Sequence, residues 1–108
     1  MSEDIQVQLK KGVLELCVLA ILSRGDSYAY EIASRLADGI GMSEGTIYPL
    51  MRRMQSDGLM TTYLVESANG PPRKYYKLSV NGRAALAAQR AEWLSFESAV
   101  RKILGDHA

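Results

Sequence analysis

The chain has 108 residues, of which 47% are hydrophobic and 23% charged, with a net charge of +1. This length and composition support one domain with a real but small core and exclude a disordered chain. The low net charge hides an uneven distribution. Residues 1–43 carry six acids and four bases, residues 44–83 three acids and six bases, and residues 84–108 three of each. The middle third is therefore the basic part of the chain.

Residues 1–8 are polar and carry Glu3 and Asp4. No small-residue cleavage site follows an apolar core, so no signal peptide is expected. A first helix is expected from about Ile5 or Leu9 to Ser23, with apolar side chains nearly all the way round. Such a helix needs cover on every side, part of it from a further partner such as a second subunit. Its apolar run, 13–22, is interrupted by Glu15 and is too short to span a bilayer. The single cysteine, Cys17, lies in that run, has no intrachain partner and reads as a buried thiol. These features point to a cytoplasmic protein. Arg24-Gly25-Asp26 reads as a helix exit.

A second helix is expected after a cap at Asp26 or Ser27, with Tyr28, Ile32, Leu36 and Ile40 as its apolar stripe and Asp38-Gly39 and Gly41 as its break. A third begins at Ser43 and leaves at Asp57-Gly58. In it Ile47, Leu50, Met51 and Met54 form an apolar face. Gly45, Pro49, Arg52 and Ser56 lie opposite, flanked by Tyr48 and Arg53. Small residues, two arginines and a phenol on an outer face suit a DNA major groove, and equally suit a surface helix whose arginines are merely solvated. Pro49 leaves two readings of the start: a kinked helix from Ser43, or a helix that begins near Thr46. Two helices joined by a short glycine-containing turn make a helix-turn-helix pattern.

Residues 59–65 read as a strand, 66–72 as a turn cluster stiffened by Pro71 and Pro72, and 73–78 as a second strand. Together they predict a hairpin with a long tip, placed like a wing beside the helices. Alternation puts Arg73, Tyr75 and Lys77 on one face, and Lys74 and the core candidate Tyr76 on the other. Ser79 caps a last helix over 80–104, whose first turn Asn81-Gly82 weakens. Leu86, Trp93 and Val100 are spaced by seven, as are Phe96 and Ile103. Gln89 interrupts that seam. A helix of this length, roughly 35–40 Å, outruns the domain and leaves the seam exposed. A two-fold homodimer that pairs the last helices covers it. The predicted class is mainly α with a small β-hairpin: a winged helix-turn-helix over 1–78 and a dimerisation helix over 79–108.

Four stretches carry a family resemblance: 25–32 (Gly-Asp-Ser-Tyr-Ala-Tyr-Glu-Ile), 45–54 (Gly-Thr-Ile-Tyr-Pro-Leu-Met-Arg-Arg-Met), 57–59 (Asp-Gly-Leu), and 73–79 (Arg-Lys-Tyr-Tyr-Lys-Leu-Ser) followed by Gly82-Arg83. In these the chain resembles the PadR family of bacterial transcriptional regulators, in its short form with one C-terminal helix. It departs where the second helix usually opens His-Gly-Tyr-Glu, since Tyr28-Ala29-Tyr30-Glu31 stands here. The resemblance implies a dimeric regulator, usually a repressor, on an inverted-repeat DNA operator. It also implies release by a phenolic acid or a planar hydrophobic drug. Ser43, Gly45, Thr46, Tyr48, Pro49, Arg52 and Arg53 are then the groove-facing candidates, and Gly70, Arg73 and Lys74 the wing candidates. Lys10 and Lys11 are weaker phosphate candidates. If roughly six cations per dimer meet phosphates, the salt slope is about −5. In some short members a tryptophan in the last helix sandwiches flat aromatic drugs. Trp93, with Phe96 one turn on, matches that place, against the plainer reading of both as packing in the subunit interface.

Two other classes of function fit the sequence less well. For an enzyme, the one histidine is His107, among the last three residues, and no carboxylate pair, metal-ligand cluster or phosphate-binding glycine loop is present. No catalytic residue, metal or cofactor is assigned. The remaining alternative is a winged-helix dimer that binds protein without binding DNA.

Overall fold

The computed structural model describes residues 13–105. The expected beginning of the first helix, Lys10, Lys11 and His107 lie outside the described residues. The elements in order are α1 (Leu14–Arg24), β1 (Ser27–Tyr28), α2 (Ala29–Ile40), α3 (Glu44–Ser56), β2 (Met60–Ser67), β3 (Gly70–Leu78) and α4 (Val80–Leu104). The three strands form one antiparallel sheet in the order β1-β3-β2. This is a winged helix-turn-helix followed by a long helix.

The core sits where α1, α2 and α3 meet the inner face of the sheet. Leu14, Val18, Leu19 and Leu22 enter from α1, Ile32, Ala33 and Leu36 from α2, Ile47, Met51 and Met54 from α3, and Met60, Tyr76 and Leu78 from the strands. Burying each large side chain of this set contributes about 1.5–3 kcal/mol. The stripe expected on α3 is the buried one, although Leu50 is only half-buried at its edge. Cys17 is half-buried against the core, and burial pushes its thiol pKa up. On the remaining side of α1, Leu16, Cys17 and Ile21 are half-buried, and α4 of the same chain packs there.

Four local expectations are corrected. First, Ser27 does not cap a helix. It belongs to β1 and pairs with Tyr76, while Tyr28 pairs with Tyr75. Tyr28 is the residue that precedes α2, and its N–H donates to Glu31 Oε1 at 3.1 Å. A two-residue strand has no periodicity to read, which is why it escapes sequence reasoning. Second, Asp38-Gly39 does not break α2. An exposed glycine costs a helix only about 1 kcal/mol, and the buried Ile32, Ala33 and Leu36 hold the helix through it. The stop is Gly41, which takes the left-handed conformation (φ 70°) and donates its N–H to Ala37 O at 3.0 Å.

Third, the hairpin has a short tip. Pairing runs from Met60↔Leu78 out to Ser67↔Gly70, with an irregularity between Val65 and Ser67. Pro71 and Pro72 therefore belong to β3, where the lack of N–H donors is tolerated on an outer stretch of a ribbon. Fourth, Gly82 is not merely a weak start to α4. A Cβ there would lie 2.0 Å from the Leu59 carbonyl oxygen and 2.7 Å from Leu78 Cδ1. Only glycine allows the helix to pack this closely on the entry to β2. Ser79 secures the same junction: its Oγ accepts from the Gly82 N–H at 3.0 Å and donates to Gly58 O at 2.7 Å.

Candidate nucleic-acid interface

The start of α3 decides how its outer face is presented. Of the two readings left open by Pro49, the helix begins at Glu44, with Ser43 in extended conformation before it (φ −79°, ψ 155°). The Ser43 carbonyl accepts from the N–H groups of Thr46 (3.1 Å) and Ile47 (3.2 Å). The Ser43 hydroxyl makes no bond to the helix backbone and lies 3.4 Å from Thr46 Oγ1. Pro49 is thus inside the helix, as its sixth residue, and no N–H reaches back from it to the Gly45 carbonyl. The N–H groups of Glu44 and Gly45 have no acceptor within the helix and stand at its positive end.

Around the helix, Ile47, Met51 and Met54 are buried, and Gly45, Pro49, Arg52 and Ser56 are exposed. The two arginines differ. Arg52 makes no ion pair among the described residues. Arg53 turns toward α1, where its Nη2 lies 2.7 Å from Glu15 Oε1, with Asp57 Oδ2 3.9 Å from its Nε. Thr46, Pro49, Leu50 and Arg53 line a shallow groove of about 440 Å³ with Leu14 and Glu15. Tyr48 is half-buried against the core. Desolvation first, and the nearby Glu44 carboxylate second, raise its phenol pKa, so it is a neutral donor.

On the wing the predicted alternation holds. Tyr76 and Leu78 face the core, and Lys74 Nζ lies over the Tyr76 ring at 5.5 Å. On the solvent face, register places Tyr28, Tyr75 and Tyr63 in one row across the three strands. Tyr75 stacks on Tyr63 at 5.8 Å and meets Tyr28 edge-on at 5.6 Å. The Arg73 guanidinium sits 4.6 Å from the centre of the Tyr28 ring. Tyr28 thus supports a wing cation. The Tyr63 hydroxyl donates to Asp26 Oδ2 at 2.6 Å, and that bond raises its pKa. Gly70 is exposed at the tip, has ordinary φ and has no atom within 4 Å of where a Cβ would be.

Along α4, Leu86 is half-buried, packed in part against the chain's own core. Trp93 is 38% exposed, Phe96 64% and Ile103 86%, while Val100 is half-buried. Trp93 and Phe96 border an open groove of about 580 Å³ between α4 and α1, with Val13, Leu16, Glu15, Arg53, Gln89 and Glu92 as its other walls. Gln89, read from sequence only as a flaw in a heptad, donates Nε2–H to Glu15 Oε2 at 2.6 Å. Sequence reasoning missed Glu15, Gln89 and Gly82 because their roles depend on neighbours 74 (Glu15–Gln89), 38 (Glu15–Arg53) and 23 (Leu59–Gly82) residues away. Among the described residues there is no group of three or more His, Cys, Asp or Glu that would hold a metal. No helix among them is long and apolar enough to cross a membrane.

The sequence profile of the PadR-like family of transcriptional regulators matches residues 18–88, which is α1 through the beginning of α4. The chain belongs to this family. Its members are DNA-binding regulators of transcription rather than enzymes. Similar solved structures include a PadR-like transcriptional regulator from Bacillus cereus, 39% identical, covering 90% of this chain and 96% of its own, with a TM-score of 0.82. A PadR family regulator from Eggerthella lenta is 35% identical over 94% of this chain and 89% of its own, with a TM-score of 0.80. The transcriptional regulator Rv3488 of Mycobacterium tuberculosis is 34% identical over 67 residues, which is 62% of this chain and 59% of that protein. The PadR-like match includes all ten candidate interface residues on α3 and the wing but stops short of Trp93 and Phe96.

Proposed function

We propose that this PadR-like regulator is a cytoplasmic homodimeric repressor that binds an inverted-repeat operator in double-stranded DNA. In this reading residues 1–78 bind DNA and 79–108 dimerise. The N-terminal half of α3 enters the major groove, with Ser43, Gly45, Thr46, Tyr48 and Pro49 at its approach and Arg52 on the phosphates. Gly70, Arg73 and Lys74 bring the wing against the neighbouring backbone. Trp93, Phe96, Val100 and Ile103 form the subunit seam. A small planar aromatic effector at Trp93 and Phe96 releases the DNA.

The observation that carries the reading is the division of α3. Ile47, Met51 and Met54 are sealed in the core, and the opposite face offers small residues, an exposed arginine and an open helix N-terminus. Small residues let the backbone approach base edges, while the helix end and Arg52 favour phosphate. The test is binding to a duplex from upstream of the protein's own gene across 50 to 200 mM salt. About six phosphate contacts per dimer predict loss of affinity by roughly three orders of magnitude over that range. Absence of binding at low salt sinks the reading and leaves a protein-interaction module.

A further inference from the structure

We propose that Glu15 is a positioning residue that links the groove beside Trp93 to the outer face of α3. The inference rests on the reading of α3 as the DNA-binding helix. A single carboxylate joins three helices. Glu15 of α1 accepts from Arg53 of α3 through Oε1 at 2.7 Å and from Gln89 of α4 through Oε2 at 2.6 Å. With both oxygens taken, its orientation is set by two helices at once.

The pair Glu15–Arg53 also separates two grooves. One runs along α3 and is lined by Thr46, Pro49 and Leu50, and the other contains Trp93 and Phe96. Glu15 and Arg53 line both. Trp93 follows Gln89 by four residues on α4, so the two side chains are neighbours on one helix face. Any shift of α4 at Trp93 therefore acts on Gln89, then on the Glu15 carboxylate, then on Arg53. The chemical consequence lies in Arg53. Held by Glu15, its guanidinium is directed toward α1. Released from Glu15, it keeps only the longer, exposed contact to Asp57 at 3.9 Å and is a second cation beside Arg52 on the helix that meets the phosphates.

Arg53 is 60% and Glu15 26% exposed, so the pair is open to solvent on the Arg53 side, and Glu15→Gln, which keeps the side chain's shape, is expected to fold. Trp93 is the chain's one tryptophan and reports on its groove directly. In the DNA-free protein, Glu15→Gln and Arg53→Gln are each expected to shift Trp93 emission to the red and increase its quenching by acrylamide, while Arg52→Gln leaves both unchanged. Trp93 signals identical to wild type in the first two variants overturn the link, whatever happens on DNA.

On the upstream duplex, Glu15→Gln is expected to bind more tightly at low salt, with a slope steeper by about 2 per dimer, one new phosphate contact for each Arg53. In an Arg53→Gln background the Glu15 substitution then has no further effect. A shallower slope, or simple additivity, overturns the role assigned to Arg53. If wild-type protein binds no duplex, the regulator reading fails, and the quenching comparison still decides the link by itself.

Discussion

Two regions of this chain use the same kinds of side chain and end in opposite conditions. In the winged-helix body, Val18, Leu19, Ile32, Ile47 and Met54 reach 0% exposure. In the distal half of α4, Phe96, Ile103 and Leu104 stay open. The body has elements on several sides to close over its apolar face. A single helix of 25 residues, about 37 Å long, has none beyond the reach of α1. The body closes its apolar face within one chain, and the distal helix leaves its own apolar side chains exposed.

The sharpest way to break that comparison is at the junction of the two regions. Gly82→Ala places a Cβ in the Leu59 carbonyl, and we expect a loss of about 3 kcal/mol or more by urea unfolding. Gly39→Ala is the control. Nothing stands within 4 Å there, and the substitution is expected to stabilise α2 by about 0.5–1 kcal/mol. Within the body, Met54→Ala is expected to cost about 2–5 kcal/mol, because its cavity has no way to fill. In the distal helix, Ile103→Ala is expected to change the stability of the single chain by under about 0.5 kcal/mol. It should nevertheless weaken self-association in sedimentation experiments. Equal losses from Met54→Ala and Ile103→Ala in dilute protein would show that the two regions do not differ as described.

Smaller effects separate the surfaces. Arg52→Ala should leave unfolding unchanged and reduce the salt slope on DNA by about 2 per dimer, measured by titration at several salt concentrations. The least effect belongs to Tyr63. Its pKa is raised because the neutral hydroxyl donates to Asp26. A raised acid pKa means that the bond's contribution is present below the ordinary phenol range and lost as pH rises through the folded value. Ultraviolet titration should show Tyr63 ionising after a freely exposed tyrosine, and Asp26→Ala should shorten the delay.

Much of α3 is legible in the sequence. The 3.6-residue spacing of Ile47, Met51 and Met54 follows from helix geometry alone, and it selects Gly45, Pro49, Arg52 and Ser56 as the opposite face. The same logic placed Tyr76 in the core and Ser79 at the start of α4. Legibility ended where one residue had to serve two neighbours. Tyr28 is at once a strand residue, the lead-in to α2 and a platform for Arg73. Arg53 and Arg52 are adjacent and chemically identical in sequence. Their difference is Glu15, 38 positions away.

The sequence by itself determined the order of the four helices and the hairpin, the apolar faces and the middle basic segment, because hydrophobic periodicity, capping residues and local charge act over a few positions. Tertiary structure alone decided which glycine leaves room for a backbone crossing, which arginine pairs with Glu15 and which groove Trp93 shares. Each of those is a contact between segments far apart in the chain, and no local pattern encodes the distance at which they meet.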